Sequence, residues 1–357
     1  MLRGLTILAC VLTIVISASS AFIRHSTALS ACPPGQACGP SQTVSRDPLA
    51  AASTAPASGS DLTAAASRTS PAVSASALPP GVATARMLHR ISASAVGLLV
   101  LWIVFAGWKR AGAVTRLVAL FALADTVFLA WLGRYTPGGL PLVTLGNLLG
   151  GIGLAGAFGW IAVALGSTAS SSAAGRSGAG GRTVTAPVES AAARVSAVPP
   201  GSPSGIASLV VLAMLVFAVA AWLGTMIQAH EAIGACGALN CAGGAHFPWG
   251  PLDPTIPPSA LDPFAARGLH WLHRIAAAAF ALAVLATAVR VRGLMPATIL
   301  IALLVLQIAS GARATVVAVP IVPATAHNIL ACLLIVALAA VAAAATIRPD
   351  HESGRQG

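Results

Sequence analysis

The sequence predicts an all-α integral membrane protein, with eight transmembrane helices arranged as two pseudo-symmetric four-helix bundles. Three observations predict it. The 357-residue chain is 57% hydrophobic and only 8% charged, with a mean hydropathy of +0.86. Soluble domains carry roughly a quarter charged residues. Eight apolar runs reach the roughly 18 residues that a bilayer-crossing helix needs. Two of those runs open on nearly the same words, LHRISASA at 88–95 and LHRIAAAA at 272–279.

The runs lie at roughly 5–23, 87–108, 117–134, 141–166, 205–227, 269–290, 296–312 and 321–346. The first follows MLRG and ends near SASSA, which also fits a secretory signal with a small-residue cleavage site. The run is long for that role, and keeping it as a helix gives two equal halves of four. Residues 42–82 are rich in Ala, Ser, Thr and Pro with almost no large apolar groups, so they read as a disordered external linker. Residues 167–204 have a similar Ser/Gly/Ala/Pro bias and read as a cytoplasmic linker. That stretch divides the chain into halves at 1–166 and 205–346, with a tail at 347–357. Four helices return a chain to its starting side, so the duplication is parallel.

The formal net charge is +11, which raises nucleic acid as a partner. The basic residues argue against it. Arg3, Lys109, Arg110, Arg116, Arg290 and Arg292 flank apolar runs, and the chain has one Tyr and no basic stretch interleaved with aromatics. Positive charge marks the cytoplasmic side of spanning helices. It places both termini in the cytoplasm, and the chain is expected in a bacterial-type cytoplasmic membrane, among lipid.

Two external loops then carry close cysteine pairs, Cys32 with Cys38 and Cys236 with Cys241. Close pairs in an oxidising compartment read as disulfides. Zinc is the alternative, although CPPGQAC and CGALNC lack the usual two-residue spacing. Cys10 and Cys332 fall inside helices and read as small core residues.

Ionisable groups inside a membrane are costly and mark function by default. His270 and His273 lie near the outer start of the sixth helix, three residues apart and so on roughly one face. His327 lies a similar distance into the eighth. Two imidazoles facing each other across a bundle suit the axial positions of haem iron. His273 is the deeper of its pair, and Arg274 beside it suits a haem propionate. The plainer reading is that such histidines only tie helices together; three at one depth favour a cofactor. In the first half His89 and Arg90 match His273 and Arg274. The place of His327 falls on Asn147, or on Gly146 with a one-residue slip, so this half offers one axial imidazole at most. Asp125 is a carboxylate in an apolar run, about 2.5 turns from Arg134, with a catalytic, proton-relay or structural role. Gly151, Gly153 and Gly156 read as packing residues. His230 and Glu231 read as solvated loop residues, and His25 and His246 as loop residues without an identifiable partner.

Taken together, the cysteine loops ALSACPPGQACGP and GACGALNCAGG, LHR in the second and sixth helices and AHNILA in the eighth resemble the haem A synthase family. The similarity spans most of the chain outside the two linkers. It implies oxidation of the C8 methyl group of haem O to the formyl group of haem A, for cytochrome oxidase assembly. It implies haem b as cofactor on His273 and His327 in the second half. It implies haem O as substrate at His89 in the first half, on the side of Cys32 and Cys38. Haem O synthase and cytochrome oxidase subunits are the implied protein partners, and the electron donor is undetermined. Two departures fall in the substrate half. Arg86 stands where the family has a glutamate, three residues before the helix-two histidine, and Asn147 stands where it has a helix-four histidine. They favour a rival reading, a non-catalytic haem b cytochrome in electron transfer or oxidase assembly. A small-molecule transporter is the second rival, but the runs lack the breaks at mid-membrane that such folds use.

Overall fold

The computed structural model describes residues 1–30, 81–109, 111–138, 140–177, 203–230, 232–236, 249–257, 259, 261–291, 293–317 and 321–347. Among them there is no strand. The long helices are α1 (Leu2–Ser30), α2 (Val82–Gly107), α3 (Ala113–Leu132), α4 (Pro141–Ser177), α5 (Pro203–Ala229), α6 (Pro263–Arg290), α7 (Leu294–Val316) and α8 (Ile321–Thr346). All eight contain a stretch long and apolar enough to cross a membrane. Hydrocarbon offers the backbone no hydrogen-bond partner, so an apolar run of this length satisfies its own N–H and C=O groups as helix. The buried hydroxyls follow the same rule. Thr13, Thr225 and Thr287 each donate to the carbonyl four residues earlier on their own helix, at 2.8 Å.

Most of the helices are longer than the apolar runs that announce them, because polar residues join their end turns, while α8 matches its run. At α6 the Asp262 carboxylate accepts from the N–H groups of Phe264 and Ala265, and Pro263 takes the first helical position. This is an N-cap that an apolar count passes over. At the other extreme α1 runs through His25, which is buried in the helix and not in the loop the sequence suggests. Residues 167–177, placed by composition in the second linker, continue α4. The linker at 42–82 lies outside the described residues up to Gly81.

Each half is a ring of four helices. α1 packs on α2, α2 on α3, α3 on α4, and α4 closes on α1; α5, α6, α7 and α8 repeat the same circuit. The diagonal pairs, α2 with α4 and α6 with α8, therefore look at each other across a ring. Between the halves α4 lies along α8, with α1 touching α8 and α5 touching α4. Exchanging the halves turns the α1–α8 contact into the α5–α4 contact, which agrees with the expected duplication.

The α4–α8 seam depends on glycine. A Cβ at Gly159 would stand 3.0 Å from the Val336 carbonyl oxygen, and one at Gly156 would stand 3.1 Å from Ile335 Cγ2. Small residues let spanning helices approach where lipid gives apolar side chains no reason to prefer each other. Ile152 of α4 joins Leu334, Ile335 and Leu338 of α8 in one core cluster. Phe105, Leu282 and Val289 stay exposed on the outer faces, where lipid is their solvent.

Gly159→Val should cost about 1–3 kcal/mol, because the side chain meets main chain that cannot rotate away. The check is a thermal melt in detergent, with Gly97→Ala as the comparison: a Cβ at Gly97 meets nothing within 4 Å, and its midpoint should hold or rise.

Candidate functional site

His273 sits on α6 and leans on α5. Its Nδ1 lies 2.9 Å from the Ala220 carbonyl, and its ring covers Gly224, where an added Cβ would come within 3.2 Å of Cε1. His327 repeats the arrangement from α8 onto α7. Its Nδ1 lies 3.0 Å from the Gln307 carbonyl, and a Cβ at Gly311 would stand 2.9 Å from its Cε1. A carbonyl oxygen only accepts, so in both rings the proton belongs on Nδ1 and the lone pair on Nε2. That is the tautomer in which imidazole presents Nε2 to a metal, with the second nitrogen held by a main-chain acceptor. The two residues stand on the diagonal helices of one ring, close enough for charge on one to act on the other.

Gln307 is the feature of this site that the sequence reading missed. Its side-chain nitrogen lies 3.1 Å from His327 Nε2, and its Oε1 is buried without a hydrogen-bond partner. The available signal was a single amide in the middle of an otherwise apolar helix.

His270 does something else. Its Nε2 lies 2.8 Å from the Ala232 carbonyl, so it ties α6 to the segment after α5. His230 is not the solvated side chain expected. Its ring nitrogens face the carbonyls of Ser259, at 2.7 Å, and Pro251, at 3.0 Å, which staples the α5–α6 connection. The same connection reaches the first half, where the Leu142 N–H at the start of α4 donates to the Pro254 carbonyl.

In the first half His89 reproduces the anchor of His273, with Nδ1 3.3 Å from the Ile16 carbonyl of α1. The partner helix does not reproduce His327. At the slipped position a Cβ on Gly146 would fall 2.6 Å from Leu132 Cδ2 and 3.5 Å from Phe128 Cζ, so α3 side chains pack against it. Asn147 is half-buried and engaged by a neighbour. Arg86 and Arg90 are exposed, and Arg274 is half-buried. Asp125 is buried, with Oδ2 lacking a hydrogen-bond partner. Its carboxyl packs against the α4 backbone, where a Cβ at Gly150 would lie 2.9 Å from Oδ1 and one at Gly153 3.8 Å from Oδ2. Gly150 and Gly153 thus make room for an acid. Gly151 meets Ser17 of α1 and Gly156 meets α8, so the glycines serve packing as expected.

Cys236 is buried and is not among the free thiols, which are Cys10 and Cys332 among the described residues. Cys32, Cys38, Cys241, Glu231 and His246 lie outside the described residues. Within those described, no three or more His, Cys, Asp or Glu side chains gather as a bare-ion site would need.

A family model described as cytochrome oxidase assembly protein, COX15-CtaA, matches residues 113–339. The match runs from the start of α3 into α8 and takes in Asp125, Asn147, His273, Arg274 and His327. No curated protein matches the chain.

His270→Ala should leave the Ala232 carbonyl without its donor and lower stability by about 1–3 kcal/mol. Faster hydrogen exchange around residues 232–236, with the bundle helices still protected, is the expected signature; uniform exchange would contradict it.

Proposed function

The chain belongs to the COX15-CtaA family of cytochrome oxidase assembly proteins, and from that premise we propose that it is a membrane haem protein that oxidises the C8 methyl group of haem O to give haem A. The observation that carries this reading is the pair His273 and His327. Both imidazoles stand on facing helices, both have Nδ1 tied to a main-chain carbonyl, and both rest on a glycine. The donor chemistry fits haem b: two neutral imidazoles presenting Nε2 inside an apolar ring. When bound, haem b supplies an iron that takes up and releases single electrons. His273 and His327 hold and orient it, and Arg274 meets a propionate with a charge-assisted hydrogen bond.

The first half is then the substrate side. His89, tied to Ile16 as His273 is tied to Ala220, presents Nε2 to the iron of haem O, and Arg90 meets its propionate. Asp125 holds or moves a proton. It is the buried acid of this half among the described residues, its Oδ2 without a hydrogen-bond partner, whereas Arg86 is exposed on α2. Asn147 reaches a ligand on the iron only as a hydrogen-bond partner. Disulfides Cys32–Cys38 and Cys236–Cys241 close the two external loops. Both termini face the cytoplasm, with Arg3, Lys109, Arg116 and Arg290 on that side. Haem O synthase and cytochrome oxidase subunits are the protein partners.

A second reading has a specific observation in its favour. Neither Asn147 nor Gly146, the two α4 counterparts of His327, can serve as a haem ligand, and Arg86 replaces the acid expected on α2. Both changes suit a haem b cytochrome that serves oxidase assembly or electron transfer without oxidising haem O. The transporter finds less support, since the helices crossing both rings are uninterrupted.

The deciding experiment is purification from a host that makes haem O, followed by extraction and chromatography of the bound haems. Haem A or its hydroxylated precursor is the expected product. Haem B alone would replace the synthase with the non-catalytic cytochrome, and no haem would reject both. Within the same preparation His273→Ala and His327→Ala should each abolish the low-spin haem spectrum. His89→Ala should spare that spectrum and remove haem O from the extract.

A further inference from the structure

Resting on the reading of His273 and His327 as a haem pair, we propose that Gln307 caps the metal-binding nitrogen of His327, so that the second half folds without haem and yields this nitrogen when haem arrives. One residue addresses both ring nitrogens. The Gln307 main-chain carbonyl accepts from Nδ1 at 3.0 Å, and its side-chain nitrogen stands 3.1 Å from Nε2. With the proton on Nδ1, Nε2 only accepts and the carboxamide N–H must donate. The other end of the carboxamide, Oε1, is buried without a partner. The side chain is thus committed to His327 and leaves half of its own hydrogen-bonding capacity unused.

The physical need is clear. Without haem and without a donor, Nε2 of the half-buried His327 would be an unsatisfied acceptor, at a cost to the packing of α8 on α7. The cap removes that cost. Ser310 does not duplicate it, because its Oγ lies 3.3 Å from Nδ1, on the other side of the ring. Haem must then displace the carboxamide, because iron and the N–H compete for one lone pair. His273 differs: its Nδ1 is tied to Ala220, and no side-chain cap meets its Nε2 among the described residues. Loading would therefore begin at His273 and finish at His327. Gln307 is a positioning residue, acting on the iron only through His327.

The test uses the full-length protein purified in detergent from haem-depleted cells and titrated with haemin, following the Soret band. Gln307→Leu and Gln307→Met both remove the donor at similar volume. Both should bind haemin about fivefold more tightly, the equivalent of one net hydrogen bond, and more quickly, with the same low-spin spectrum. Ser310→Ala should leave the affinity unchanged. Unchanged or weaker binding by both Gln307 variants, with the wild type low-spin, would overturn the cap and leave the haem pair standing. Wild-type protein that gives no low-spin spectrum, or His327→Ala that binds as the wild type does, would overturn the haem pair and the cap together.

Discussion

Everything distinctive in this bundle follows from imidazoles held between apolar helices. An imidazole in hydrocarbon needs a partner for its N–H, and the nearest reliable acceptor is the main chain of the adjacent helix. Ile16, Ala220 and Gln307 supply it to His89, His273 and His327. A helical carbonyl is already bonded along its own helix, so the second bond uses its remaining lone pair and demands close approach. Gly224 and Gly311 permit that approach in the second half. The glycines are thus a condition of the histidines: a methyl group at either place would push the ring off its carbonyl and lose the tautomer.

The same economy explains why the halves are not equivalent. α4 lies at the centre of the molecule, against α1, α3, α5 and α8, and much of its face is spent on contact. Gly146 and Gly150 admit Leu132, Leu129 and Asp125 from α3, while Gly156 and Gly159 admit α8. Where it lets neighbours this close, α4 carries glycine or a small amide and no imidazole. α8 shares the central seam, yet keeps His327 on the side facing α7. The first ring keeps one anchored imidazole and one buried acid, and the second keeps two anchored imidazoles and one amide.

What the sequence made legible, it made legible through composition and repetition. Eight spans are visible because hydrocarbon excludes charge over whole turns, and His89 and His273 are visible because LHR occurs twice in one context. Helix ends were less visible, since the Asp262 cap and the polar turn around His25 belong to helices without being apolar. The partners of His270 and His230 were invisible for a different reason. The carbonyls of Ala232, Ser259 and Pro251 are backbone atoms of irregular segments, and main-chain acceptors leave no mark on sequence. Gln307 escaped because an amide announces nothing until its neighbour is known. The packing against Gly146 escaped because leucine across a helix interface reads the same as leucine facing lipid.

Asp125 and Gln307 show how one position type diverges under that constraint. Each is the buried strongly polar side chain in the middle of the third helix of its ring. Where α8 offers an imidazole, an amide is the fitting neighbour, because it donates to Nε2 without bringing charge into hydrocarbon. Where α4 offers none, an amide would leave two donor hydrogens and an oxygen without partners. A carboxyl group leaves fewer polar atoms to satisfy. On the proposed reading this divides the labour. His273 and His327 would hold haem b in the second ring, and His89 would meet the substrate haem in the first. On that reading the second ring would serve electron transfer, and the first, with His89 and Asp125, would face the substrate.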